Sequence, residues 1–172
     1  MSRSVEISPS ALIKHAKALI PGSSRGRPTA TNLRRAVSAA YYALFHQVSL
    51  IAAASVMPSV SPSVRRDHAR RVDHGPLNGL CAAIGGGKGD WKNLHENEKL
   101  RQICNDFVDL YGARHRADYD HNATFTKQEA LELILRSEQS LRAVARLRST
   151  PDGQLFLAQV WANAGAGKQR RT

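Results

Sequence analysis

Leu100-Arg101-Gln102-Ile103-Cys104-Asn105-Asp106-Phe107-Val108-Asp109-Leu110-Tyr111-Gly112-Ala113-Arg114-His115-Arg116-Ala117-Asp118-Tyr119-Asp120-His121 is the stretch on which the fold turns. Leu100, Ile103, Phe107, Leu110, Arg114, Ala117 and His121 recur at alternating steps of three and four, the spacing that keeps side chains on one helix face. Four large apolar residues on that stripe predict a core-facing helix. Arg114 and His121 then follow in phase, where more leucine is expected. A polar departure from an apolar pattern is a signature of functional sites.

The same periodicity extends outward in both directions. Leu33, Val37, Ala40, Leu44, Val48 and Ile51 mark a long helix, capped by Thr31 or Asn32, widened by Tyr41 and Phe45, and running to about Ser55. The Pro-rich segment from Met57 to Pro62 breaks it. Before it, Ser8-Pro9-Ser10 starts a short helix that ends before Pro21-Gly22, and 22–28 reads as a basic loop. A basic helical stretch is expected from Val64 to Asp73. An interrupted helix follows around Leu77–Ile84, with Gly75-Pro76 as a kink or divide. Gly85 to Asp90 reads as a flexible loop, and the helix of the opening stripe begins near Leu94 or Glu96 and runs to about Tyr119. Thr126 with Glu129 forms a capping box ahead of Ala130, Ile134, Ser137, Leu141, Val144 and Leu147. Pro151 and Gly153 close that helix, 154–164 can form one more, and 165–172 reads as a disordered basic tail.

Long amphipathic helices joined by short loops predict an all-α antiparallel bundle of four or five principal helices over residues 1–150, with a short C-terminal extension over 151–172. The scarcity of strand-forming clusters agrees.

The 25 Lys and Arg against 14 Asp and Glu leave a formal charge of +11. Arginine dominates the basic set, and its planar fork suits phosphate. The charge points to a nucleic acid or another polyanion, or to an arginine-rich proteome. Arg65, Arg66, Arg70 and Arg71 crowd into two predicted helical turns beside Asp67 and Asp73. They read as a phosphate-contact surface or as surface ion pairs. Arg34 and Arg35 near a helix start, and Arg116, are further candidates for RNA contact, with a solvated face as the alternative.

Cys81 and Cys104 define neither a metal pair nor a disulfide framework and read as buried thiols. His95-Glu96 lacks the second histidine of a zincin motif, so no metal site and no cofactor are expected. Gly85 to Asp90 lacks the spacing of a phosphate-binding loop. The N-terminal stretch has a lysine inside its apolar part and is not read as a signal peptide. No run is read as a membrane span, and a cytoplasmic location is the expectation.

Two segments carry a family resemblance. Leu33-Arg34-Arg35-Ala36-Val37-Ser38-Ala39-Ala40-Tyr41-Tyr42-Ala43-Leu44-Phe45-His46 looks like the arginine-led helix with paired aromatics of the HEPN domain family, helical-bundle proteins of prokaryotic defence and toxin systems. Ala113-Arg114-His115-Arg116-Ala117-Asp118-Tyr119-Asp120-His121, with Phe125-Thr126 and Glu129-Ala130, resembles the end of the third core helix and the start of the last. His74-Gly75 is also similar, and the likeness covers about residues 8–148 in order. The resemblance implies a metal-independent RNase, acting as a toxin or anti-phage effector. It implies an arginine followed after four to six residues by a histidine, and a homodimer that brings two such motifs together. It equally implies a non-catalytic subunit that binds a nucleotidyltransferase, another partner, nucleotide or RNA, with a cognate nucleotidyltransferase or antitoxin as partner.

Arg114 and His121 have six residues between them, and Arg116 and His121 have four. A seven-residue step returns to nearly the same helix face, whereas a five-residue step turns about 140° away, which favours Arg114. Metal-free RNA cleavage needs proton transfer at the 2′- and 5′-oxygens, which histidine supplies, and a cation against the phosphorane-like charge, which a guanidinium supplies. His115 and Tyr119 are secondary catalytic candidates, and Tyr41, Tyr42 and His46 can line the same groove, with a core position as the favoured reading of Tyr41. Asp118 can orient Arg114. The competing reading has Arg114 paired with Asp118 at i, i+4 and His121 interacting only with the helix C-terminus.

Overall fold

A computed structural model describes residues 8–21 and 26–163. The tail at 165–172 and most of the loop at 22–28 lie outside the described residues. Among those described there is no strand. The helices are α1 (Pro9–Ala18), α2 (Ala30–Val56), α3 (Pro62–Ala69), α4 (His74–Gly85), a 3-10 turn at Gly89–Trp91, α5 (Lys92–Glu96), α6 (Glu98–Tyr119), α7 (Lys127–Leu147) and α8 (Pro151–Ala162). The all-α expectation holds. Among the described residues the α-helices number eight rather than four or five, because short connectors such as α3 and α5 are themselves helical.

α2 is the axis of the bundle. Alanines at 36, 39, 40, 43, 52 and 53 are buried on several of its faces alongside Val37, Tyr41, Leu44 and Val48. Small side chains let α1, α3, α6, α7 and α8 all pack against it. By length and composition α2 is apolar enough to cross a membrane, although no run is expected to span one. Yet 67% of its most apolar window is buried inside the bundle, so this hydrophobicity is used for packing.

α6 presents the opening stripe as expected: Leu100, Ile103, Phe107 and Leu110 are almost fully buried. Each such side chain contributes about 1.5–3 kcal/mol of burial. Contacts to α7 pair Arg116 with Glu129, Asp109 with Arg136 and Asp106 with Ser140. One residue number falls as the other rises, so the two helices run antiparallel. α2 and α6 do likewise, through Ser38 with Asp118 and Tyr42 with Arg114. The capping box at Thr126 and Glu129 forms in full.

α6 and α7 are also joined by a polar network inside the apolar layer. Asp106, 3% exposed, accepts hydrogen bonds from Gln102 Nε2 at 2.9 Å, Arg136 Nε at 2.8 Å and Ser140 Oγ at 2.6 Å. Arg136 Nη2 reaches on to Asp109 at 2.6 Å. Ser137, fully buried, donates to the Ala40 carbonyl of α2 at 2.7 Å. A buried carboxylate needs such a full set of donors.

Three local expectations change. The basic stretch is not one helix to Asp73: α3 stops at Ala69, and tight turns at Arg71 and Val72 swing Val72 into the core. Gly75-Pro76 is not a kink but part of the first turn of α4, where proline's missing N–H costs nothing. The Gly85–Asp90 loop is a turn held by main-chain bonds from Gly87 to Ile84 and Lys88 to Ala83. Gly87 there has φ +60 and lies against the His95 ring, where a Cβ would sit 3.1 Å from it. In α8, Phe156, Leu157 and Val160 are buried in the same core as the rest. Gly153 meets the Leu147 carbonyl so closely that any side chain would collide with main chain.

Candidate functional site

Arg114 sits where α2, α4 and α6 converge. Its side chain is 13% exposed, and Nε lies 2.6 Å from Asp118 Oδ2 one turn on. The N–H is not aimed at that oxygen, so the contact is an ion pair without an aligned hydrogen bond. Ser38 of α2 donates to the other Asp118 oxygen. Arg114 Nη2 donates to Tyr42 Oη at 2.7 Å and to Tyr119 Oη at 3.3 Å. The guanidinium also lies 5.3 Å from the Tyr42 ring centre and 5.1 Å from that of Tyr119, within cation–π range. Burial works against its charge, but the Tyr42 bond and the nearby Asp118 outweigh that and raise its pKa. The result is a cation fixed in position.

His121 is not beside it in the way the spacing predicts. α6 ends at Tyr119 with Asp120 extended, so the seven-residue step to His121 is not completed as helix. His121 is exposed, and its side chain makes no hydrogen bond, ion pair or ring contact among the described residues. Its carbonyl does accept a 3.5 Å bond from Arg34. The physical reason is Arg34 itself. Its guanidinium donates to the carbonyls of Ala117 at 2.8 Å, Asp120 at 2.6 Å and Ala123 at 3.3 Å. These are the orphan acceptors at the end of a helix and the turn beyond it. Arg34 is therefore a helix-end clamp, a contact that neither the phosphate nor the solvated-face reading anticipates.

Other candidates scatter. His115 and Tyr119 are exposed, with rings 4.9 Å apart beside Arg114. Arg116 pairs with Glu129 at 3.3 Å and covers the Phe125 ring at 5.0 Å, both on the α6–α7 surface. Arg35 is exposed near the start of α2. Arg65 and Arg66 lie on α3, whereas Arg70 and Arg71 lie beyond its end, so the four do not share one helix. No cluster of metal-binding side chains occurs among the described residues.

What the structure assembles instead is a histidine-lined aromatic cradle. His74, at the start of α4, stacks on Phe45 with ring centres 3.8 Å apart. Its Nδ1 lies 2.7 Å from Tyr41 Oη. Tyr42 meets the same imidazole edge-on at 5.8 Å, and His46 stacks on Tyr42 at 6.1 Å. Burial pushes the Tyr41 phenol well above its ordinary range, against the pull of Arg114, so it stays protonated. Burial lowers the pKa of His74, reinforced by Arg114 and His46 and opposed by Asp73. Burial also lowers that of His46. The sequence offers His74 only as part of a family likeness and His46 also as a groove-lining residue with Tyr41 and Tyr42; the local signal for a cradle is Tyr41, Tyr42, Phe45 and His46 within two turns of α2.

These depressed pKa values fix a sign. Below about 6.5, the ordinary histidine value, the unfolded chain takes up protons that the folded cradle resists. Stability is therefore expected to fall as pH drops from 7 toward 5.5, lowering the thermal midpoint by several degrees. The double variant His46→Gln, His74→Gln should flatten that slope in a melting series. A parent whose midpoint rises over the same window would contradict the assignment.

The chain matches no protein-family model, no curated protein and no solved structure. Function therefore rests on the site itself.

Proposed function

We propose that this chain is a HEPN-like, metal-independent endoribonuclease of the toxin or anti-phage type, working in the cytoplasm as a homodimer. The observation that carries the reading is Arg114. It is a guanidinium held rigidly by Asp118, Tyr42 and Tyr119 at an aromatic cradle that holds partly buried histidines, on a chain with a net charge of +11. A fixed guanidinium is suited to the charge that gathers on phosphate oxygens during cleavage. His115 and Tyr119 lie exposed beside it and are available to the flanking RNA, with Arg35 and the arginines of the α3 region as more distant phosphate contacts. The family resemblance adds a cognate antitoxin or nucleotidyltransferase as partner.

The test is direct. Purified chain incubated with RNA in EDTA should yield fragments ending in 2′,3′-cyclic phosphate and 5′-hydroxyl. Intact RNA after long incubation at high enzyme, with the chain folded by circular dichroism, would reject the reading.

One observation favours a second reading. Arg114 is already paired with Asp118, and the helix ends before His121, as a purely structural role would have it. The chain would then be a non-catalytic partner subunit. RNA binding that weakens with salt, without cleavage, is its signature.

A further inference from the structure

We propose that His74, rather than His121, is the proton carrier that faces Arg114, with Tyr41 as its positioning residue. This assignment rests on the nuclease reading and goes beyond it by naming the base.

Arg114 and His74 lie on different helices yet share two aromatic walls. Tyr42 accepts a hydrogen bond from Arg114 at 2.7 Å and meets the His74 ring at 5.8 Å. Tyr41 bonds His74 Nδ1 at 2.7 Å, and its ring centre lies 5.9 Å from the guanidinium. His74 is fixed on three sides, by Tyr41, Tyr42 and the stacked Phe45. A base that loses little freedom on meeting its proton is what proximity catalysis requires. His121 has no comparable support, since its exposed side chain has no partner among the described residues. The groups that set the charge on His74 are Arg114 from α6, His46 from α2 and Asp73 at the start of α4. The net effect of burial and these charges keeps the imidazole neutral near pH 7, the form that accepts a proton.

The step uses the tautomer in which Nδ1–H donates to the Tyr41 oxygen, which leaves the lone pair on Nε2. Nε2 takes the proton of the RNA 2′-hydroxyl, and the 2′-oxygen forms a bond to phosphorus. The P–O5′ bond breaks, and the 5′-oxygen takes a proton from water. Arg114 balances the charge on the non-bridging oxygens. His74 then returns its proton to solvent.

The experiment compares cleavage of one RNA in EDTA by the full chain and by His74→Gln, Tyr41→Phe and His121→Gln, across pH 5 to 9. His74→Gln should lose about 10²–10⁴-fold in kcat with RNA affinity retained, the usual cost of removing a general base. It should also lose the acidic limb of the profile. His121→Gln should lose less than about tenfold, short of that cost. Tyr41→Phe, which keeps the ring and removes the hydroxyl, should move the acidic limb; a merely structural tyrosine would lower the rate without moving it. If His74→Gln fails to fold, the Tyr41→Phe profile decides, and an unmoved limb overturns the proposal. A large loss in His121→Gln with an active His74→Gln overturns it while leaving the nuclease reading intact. No cleavage by the parent overturns both.

Discussion

Replacing Arg114 with alanine is expected to cut RNA cleavage by about 10²–10³-fold, the range for removing one donor that stabilises transition-state charge. The fold should survive. Asp118 would lose its ion-pair partner but keep the Ser38 hydroxyl, and at 28% exposure water can replace the guanidinium. Such a partly exposed pair contributes only about 1 kcal/mol or less. Tyr42 and Tyr119 would lose a donor, not an acceptor, and both hydroxyls can turn to solvent or to each other. Arg114→Lys is the sharper variant. It keeps the charge, but a single ammonium cannot contact Asp118, Tyr42 and Tyr119 from one fixed position. Most of the loss should therefore appear in the lysine variant too, in kcat more than in KM. Parental cleavage by both variants would remove Arg114 from the chemistry.

Asp106→Ala should have the largest effect on stability, about 3 kcal/mol or more, near the lower end for breaking a buried ion pair. Three donors would lose their acceptor at once: the Gln102 amide, the Arg136 guanidinium and the Ser140 hydroxyl. Arg136 retains Asp109, which is why the cost stays below that of a fully orphaned buried charge. Urea unfolding should show a lower midpoint with an unchanged m-value, and the melting temperature should drop by roughly 10 °C. Asp106→Asn keeps the shape and one acceptor oxygen and should lose less. A change under about 1 kcal/mol in the alanine variant would mean that the network is incidental to the α6–α7 packing.

The parts of this molecule legible in its sequence are those set by neighbours three and four residues apart. The apolar part of the α6 stripe, the α2 stripe and the Thr126 capping box depend on local periodicity and on hydrogen bonds within one turn, and each forms, although α2 is capped by Thr29 rather than Thr31 or Asn32. The Asp106 network is not legible: nothing local joins Arg136 or Ser140 on α7 to Asp106 on α6. Ser137 is legible as a polar residue in phase with the apolar face of α7, but its acceptor is on α2. The partner of Arg34 is not legible, because an arginine at a helix start has the same appearance whether it meets solvent, phosphate or a carbonyl 83 residues away.

The candidate site shows the same division. Arg114 was identified because it interrupts an apolar stripe, and its pairing with Asp118 is an i, i+4 contact that spacing alone anticipates. The partner histidine was sought on the same helix because sequence reasoning carries phase only while a helix continues. α6 stops two residues short of His121, where the Arg34 clamp gathers its terminal carbonyls. Sequence by itself determined an all-helical chain, its principal helices and one inward-facing arginine, since backbone hydrogen bonding and side-chain phase are local. Only the tertiary structure decided which imidazole shares that arginine's aromatic walls. That depends on how α4 packs against α2 and α6, a relation between segments far apart in the chain that no local period records.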